Sequence, residues 1–563
     1  MFKYIIKHKW YIVFLVALMI FEPTLNAVLN FLLQKMFNSA TVGTEKLLIL
    51  RFLILGFTIW ISKRLMSFAI SVIKSKFVCN AKHDIKHDIF CNTLNLNTSV
   101  VRSRASSGEY LSVFTNDINI LEQKYFDGLF DLISGIFALV ILATSFVMLN
   151  VKIAVAILSF GLITMFVPTV FRNILSSKNL FYSNNLSHFS QKIKEYFESY
   201  ATIKNYSIEG QIIRQFNGIN RNTENSKFGY DTSLALANNV GSMLSWFMQF
   251  MGIGLGLILV IRGEILIGTV ISAQSFANDL AYPLQNIVFS LNSLKSVKKI
   301  VAKFNKLSQK ETESDSDALP STKLPTTFDV KFENLKVHTS ENKILDGIDF
   351  TFNEGKKYLI VGKNGAGKSS MFKALKKQLK ITDGNIFIGD VSVFDLSNKD
   401  ISNYVSYLNE NVSLFSGTVK DNITLSMEYS EEELQKAVEN AQMNLNIDRE
   451  INDCGTNISS GEQRRIEIAR SILRNVKVLI FDEVVSTLDV VTAYEIEKMI
   501  LEYSDKTVIF ISHNFSGKLI KNYDEILVVG DGKIVNHGTF EHLYQTCEYF
   551  KEICDIKIGN LAN

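Results

Sequence analysis

Apolar and polar stretches alternate along this chain on two different scales. Through the first half, apolar runs recur at about 10–33, 47–72, 125–149, 151–175, 234–261 and 265–291. An α-helix needs about 20 such residues to cross a bilayer, so six spans are expected. Polar stretches with helical spacing intervene at 74–123 and 176–231, whereas Asn150 and Arg262-Gly263-Glu264 are links short enough to make hairpins. Lys3, Lys7 and Lys9 precede the first run and place the N-terminus, and with it both long excursions, on the cytoplasmic side. A cleaved signal peptide would begin in the same way, but the apolar character persists too far and no small-residue cleavage site closes it. Residues 308–327 are polar, nonperiodic and punctuated by Pro320 and Pro325, which marks a linker. Beyond it, short β-branched and aromatic runs alternate with helical segments, the pattern of an α/β domain. The expected division is therefore 1–307, 308–327 and 328–563.

Composition agrees with a membrane part: 47% of the 563 residues are hydrophobic, 41 of them Phe, against 20% charged. A net charge of +3, with no basic stripe interleaved with aromatics, gives no case for nucleic acid. Cys79, Cys91, Cys454, Cys547 and Cys554 lack paired spacing and are expected to be reduced thiols. Several polar residues interrupt the apolar runs. Glu22-Pro23 sits in the first, where a carboxylate is costly and proline kinks a helix. Gly252, Gly254 and Gly256 in the fifth allow close helix approach. Gln274, Asn278 and Asp279, with Pro283, lie in the sixth; they are suited either to line a path or to bond neighbouring helices. His83 and His87 are four apart in the first excursion, yet without a third ligand or an intervening base they read as a solvated face.

The candidate chemistry lies in the last third. Gly362, Lys363, Asn364, Gly365, Ala366, Gly367, Lys368 and Ser369 form a complete phosphate-binding loop. A strand-like run over 358–361 leads into it and a helical segment from Ser370 follows, which is the context such a loop requires. Glycines let successive amides point at phosphate oxygens, and the helix start adds its positive dipole end. Lys368 is placed to reach the β- and γ-phosphates and Ser369 to offer its hydroxyl to Mg²⁺. Further on, a buried strand over 478–481 ends in Asp482-Glu483. Asp482 is suited to hold Mg²⁺ and Glu483 to accept a proton from an attacking water. Ser459-Ser460-Gly461-Glu462 opens a helix, with Ser459 or Ser460 as its cap.

Taken in order, these segments resemble the nucleotide-binding domain of ABC transporters. Ser459, Ser460, Gly461 and Glu462 stand where that family has its LSGGQ signature, Ser486-Thr487-Leu488-Asp489 resembles the D-loop, and His513 matches the switch histidine. The segments 107–117 and 198–209 are similar to the two cytoplasmic loops of exporters that fuse six spans to one ATPase. The resemblance implies an all-α six-helix transmembrane domain with long cytoplasmic helical extensions, followed by an α/β P-loop ATPase domain. It also implies a half-transporter in a bacterial cell membrane, binding ATP and Mg²⁺ and working as a homodimer or heterodimer. Each loop, with Ser370 beside it, would face the partner's signature and Asp489, and turns near 98–107 and 205–216 would couple the ATPase to the membrane. The implied activity is ATP-driven export of an amphiphilic or hydrophobic, peptide-like or drug-like compound. Import of siderophore-like cargo, or service as a weakly hydrolysing ATP-binding subunit, is the alternative.

Three departures motivate that last alternative. Glu410 occupies the Q-loop glutamine position and remains a candidate Mg²⁺ ligand; Thr339, next to His338, replaces the adenine-stacking aromatic; Ser460 replaces the first signature glycine. The first span begins near residue ten, so no N-terminal peptidase domain is expected.

Overall fold

The structure, a computed structural model, describes residues 1–42, 46–96, 100–101, 107–164, 167–308, 324–338, 343–409, 412–452, 455–484, 488–512 and 517–559. The chain divides into two units: Met1–Cys91 with Ser107–Gln309, and Asn92–Ser106 with Lys310–Asn563.

Helices make up the first unit. A short α1 (Phe2–Lys7) leads into α2 (Lys9–Val42) and α3 (Lys46–Leu94), and α4 (Asp127–Leu149) turns at Asn150 into α5 (Val151–Thr164). Then come α6 (Val167–Glu198), α7 (Glu209–Ile261), α8 (Ile267–Ser296) and α9 (Lys298–Ser308). By length and composition, Lys9–Thr41, Gly108–Leu149 and Glu209–Ile261 are long and apolar enough to cross a membrane. Apolar residues clothe the outside as well as the core: Leu50, Leu53, Phe57, Trp60, Leu65 and Phe68 of α3 are all exposed, as suits a lipid-facing surface. The inner face of α8 buries Ala273, Phe276, Ala277, Leu280 and Leu284 at helical spacing, and Phe276 packs on Phe31 of α2 and Phe146 of α4.

Small residues set how closely α7 approaches its neighbours. A Cβ at Gly252 would come within 2.4 Å of Ile157 on α5, and one at Gly256 within 2.9 Å of Val270 on α8. Gly254 faces open space and has no such role. Polar pins hold the rest: Lys74 bridges Asp127 at 3.0 Å and Asp131 at 3.2 Å, and Lys303 reaches Asp117 at 2.8 Å. On α3, Asp84 and Asp88 turn to α1, accepting from Lys7 and Lys3 at 2.7 and 2.8 Å. Their neighbours His83 and His87 keep exposed side chains, and no metal-holding group of three or more His, Cys, Asp or Glu occurs among the described residues.

Among its described residues the second unit carries two larger sheets and a two-stranded pairing of Gly417–Thr418 with Glu450–Ile451. One is antiparallel, built from β1 (Val330–His338), β2 (Lys343–Phe352), β4 (Asp383–Ile388) and β5 (Val391–Ser392) in the order β2-β1-β4-β5. The other contains β3 (Lys357–Val361), β6 (Val405–Leu408), β7 (Val478–Asp482), β8 (Thr507–Ile511), β9 (Glu525–Gly530) and β10 (Lys533–Gly538). Its order is β10-β9-β3-β8-β7-β6, parallel except for β10. Every residue of β3, β7 and β8 is buried, the composition expected of parallel strands covered on both faces. Such sheets present their ligand sites at the carboxyl ends of the strands. There β3 runs into the glycine loop and α10 (Lys368–Leu375), and β7 runs into Asp482-Glu483.

Candidate functional site

Two glycines are demanded by the way the loop is seated. Gly362 has φ +155°, and a Cβ there would lie 2.1 Å from the carbonyl oxygen of Val529 on β9. Gly367 caps α10 at φ +98°, where a Cβ would press on Leu345 and the Ile344 carbonyl at 2.8 and 2.9 Å. Gly365, at φ +81°, borders open space, so the crest of the loop leaves room for a ligand against its backbone. Lys363, Asn364 and Ala366 complete the loop, with the Ala366 amide closing a turn onto the Lys363 carbonyl at 3.2 Å. Ser370 is already in the helix, its amide bonded to Gly367 at 3.1 Å.

Lys368 is buried and its ammonium folds back to donate to the Gly362 and Lys363 carbonyls at 2.8 and 2.9 Å. Burial lowers its pKa, and the nearby Glu483 and Asp482 carboxylates pull the other way. Ser369 Oγ donates to Asp482 Oδ1 at 2.8 Å, and Tyr407 on β6 donates to Asp482 Oδ2 at 2.6 Å. Burial and the adjacent Asp482 carboxylate push the Tyr407 phenol far above its ordinary range, so it stays a donor. Glu483 takes a left-handed conformation, φ +57°, with its amide bonded to Ile511 on β8 at 2.9 Å. Non-glycine residues adopt that region rarely.

The signature segment begins α11 (Ser460–Leu473), and the cap is Ser459. Ser459 Oγ accepts from the Glu462 amide at 3.3 Å while the Ser459 amide donates to the Glu462 carboxylate at 2.8 Å, a reciprocal capping box. The Ser459 amide and hydroxyl hold the Glu462 carboxyl below its usual range. Glu462 is thus engaged at its own helix start, and Ser460 and Gly461 offer the backbone of the first turn. Asp489 caps α12 (Val490–Leu501), accepting from the Thr492 amide at 3.0 Å, and lies 3.7 Å from Arg465 of α11.

Sequence reasoning missed Tyr407 and Arg464. Arg464 is 1% exposed and donates to the Asn409 carbonyl at 2.5 Å and to Glu467 at 2.6 Å, joining α11 to the segment after β6. The sequence signal was an arginine with an acid three residues on, Arg464 and Glu467. His338 donates its amide to Thr382 at 2.8 Å and has a buried Nε2 without a partner among the described residues. Glu410, His513, Thr339, Ser486 and Thr487 lie outside the described residues.

These residues suit a nucleoside triphosphate with a divalent ion. The loop offers amides, a buried ammonium now bonded to the loop's own carbonyls, and a hydroxyl and carboxylate side by side as hard oxygen donors.

Comparison with known proteins gives the same direction. The ABC transporter transmembrane region family matches residues 10–284 and the ABC transporter family matches 345–486. The lactococcin-G-processing and transport ATP-binding protein LagD of Lactococcus lactis is 27% identical over 466 residues, 81% of this chain and 65% of that one. The microcin-J25 export ATP-binding/permease protein McjD of Escherichia coli is 27% identical over 306 residues, 53% of this chain and 52% of that one. The alignments therefore span about two thirds and one half of those relatives' lengths. A solved bacterial Atm1-family ABC exporter with ATP bound superposes with TM-score 0.83 over 97% of each chain at 18% identity, a likeness of fold.

Proposed function

The chain belongs to the ABC transporter family, a multi-pass membrane protein whose cytoplasmic ATP-binding domain follows its transmembrane region in one polypeptide, and from this we propose that it is a half-transporter exporting an amphiphilic or hydrophobic compound by ATP hydrolysis. The observation that carries the proposal is the meeting of Ser369 and Asp482 beside Lys368, with Glu483 turned out of the same strand end. Lys368 exchanges its loop carbonyls for phosphate oxygens. Ser369 and Asp482, joined by Glu410, hold Mg²⁺, which supplies charge neutralisation to the phosphates when bound. Glu483 orients the attacking water and takes its proton, and His513 contacts the γ-phosphate.

The reading places six spans at about 10–33, 47–72, 125–149, 151–175, 234–261 and 265–291, a linker over 308–327, and the ATPase domain from 328. Two chains act together, each loop closed by the partner's Ser459 to Glu462 turn and Asp489. Exposed apolar residues of α3 support a surface bathed in lipid. Names of the relatives, lactococcin-G transport and microcin-J25 export, favour export and a peptide-like or drug-like cargo. Accumulation of labelled cargo in inside-out vesicles on ATP addition tests the direction; accumulation in right-side-out vesicles instead would establish import.

A mixed dimer is the second reading, favoured by Ser460 in the signature and by the engagement of Glu462 at its helix cap. Purified chain reconstituted alone discriminates: vigorous ATP turnover removes the need for a different partner.

A further inference from the structure

We propose that Asp279 is the point at which the transporter recognises a cationic group on its cargo, so that the exported class is an amphiphile bearing an ammonium or guanidinium. The inference rests on the export reading above and adds the charge of the substrate. Asp279 is the thirteenth residue of α8, about 18 Å along the axis from the helix start, deep inside a hydrocarbon layer about 30 Å thick. A carboxylate at that depth is costly unless something compensates it.

Other carboxylates of the helical unit have cations near them. Asp127 and Asp131 share Lys74 in ion pairs, and Glu22 on α2 has Lys63 and Arg64 of α3 in its surroundings. Asp279 has no cation within ion-pair distance among the described residues. Its contact is the neutral amide of Asn30, whose Nδ2 donates to Asp279 Oδ2 at 2.8 Å. Asn30 is itself fixed, 1% exposed: Ser275 donates to its Oδ1 and Ser272 to its carbonyl oxygen, both at 2.7 Å. With Oδ1 occupied, only the NH₂ end of Asn30 is left to point at Asp279. The arrangement orients the carboxylate and does not neutralise it.

A second observation is independent of the first. On the flank of α8 that meets α7, Gln274 donates to Gln249 Oε1 at 2.8 Å, and its own Oε1 is buried without a donor among the described residues. Buried acceptors are ordinarily satisfied. Within two turns and on two different flanks, α8 therefore presents toward α2 a carboxylate lacking a cation and toward α7 an amide oxygen lacking a donor among the described residues, beside the exposed Asn278. A protonated amine or guanidinium supplies the charge missing at Asp279.

The test uses the full chain in lipid nanodiscs and two N-acetylated hydrophobic pentapeptide amides, identical except for one lysine or norleucine, with binding read by equilibrium dialysis. Wild-type protein is expected to bind the lysine peptide about tenfold or more tightly than the norleucine peptide, the range of a hydrogen bond to a charged group. Asp279→Asn should erase that preference, Asp279→Glu should keep it, and all three should bind the norleucine peptide alike, which controls for folding. Equal affinity of wild type for the two peptides, absence of binding by either, or a preference that survives Asp279→Asn overturns the proposal. If Asp279→Asn does not fold, the peptide ratio measured on wild type decides. ATP hydrolysis by wild type without a peptide preference would fault the cation site alone, whereas absence of hydrolysis would fault the transporter reading beneath it.

Discussion

Ser369 and Asp482 satisfy one another: the hydroxyl donates to Oδ1 at 2.8 Å, leaving Oδ2 to the Tyr407 phenol at 2.6 Å. Both oxygens of the carboxylate are therefore occupied by residues 113 and 75 positions away in sequence. Each carboxylate oxygen keeps a further lone pair with which to meet an ion. The two bonds fix the Asp482 side chain from two distant parts of the sheet.

Replacing Ser369 with Ala should separate stability from chemistry. Loss of one hydrogen bond costs about 1 kcal/mol in the nucleotide-free protein. Turnover should fall at least about tenfold, with the Mg²⁺ concentration for half-maximal rate raised, because an oxygen ligand is gone. A Mg²⁺ titration of ATPase activity checks this, and an unchanged half-maximal concentration would remove Ser369 from the ion site.

Tyr407→Phe takes the donor from a buried carboxylate. The expected cost is about 1–3 kcal/mol of stability without nucleotide, and less with Mg²⁺ and ATP present, where the ion satisfies the oxygen. Denaturant unfolding with and without both ligands measures the difference. Equal destabilisation in the two conditions would show that the phenol does not stand in for the ion.

Glu483→Gln should lower the hydrolysis rate by about 10²–10⁴-fold, the usual contribution of a general base, while ATP binding persists. Nucleotide retention by the variant, followed with a labelled ATP, is the companion measurement. Hydrolysis at the wild-type rate would sink the assignment.

Glu467 gives a pH signature. Burial raises its pKa above the usual 4.5, and the partner Arg464 offsets only part of that rise. Between 4.5 and the raised value the folded state binds the extra proton, so this group's contribution to stability is present below 4.5 and lost as pH rises through the folded pKa. Melting temperature should thus fall across that window more steeply for wild type than for Glu467→Gln. Parallel curves for the two proteins would show that Arg464 already holds Glu467 ionised.

Much of this architecture was legible locally. The strand before the glycine loop, the strand ending at Asp482 and the helix opened by Ser459 all followed from apolar runs and cap chemistry, because each depends on residues within a turn or two. What escaped was the pairing of distant residues. Tyr407 faces Asp482 only because β6 lies beside β7 in parallel register, Tyr407 opposite Ile480, and no spacing within β6 announces that neighbour. Asn30 and Asp279, 249 positions apart, meet for the same kind of reason. The left-handed backbone of Glu483 was equally hidden, since glutamate carries no preference for that region and the surrounding sheet imposes it.

The uninterrupted course of α7 has a mechanical consequence. Its 53 residues contain no proline, so the rod from Glu209 to Ile261 is about 80 Å long, and a tilt of about 5° moves one end by about 7 Å relative to the other. A small rotation at one tip is magnified by leverage alone, with no joint needed along the shaft.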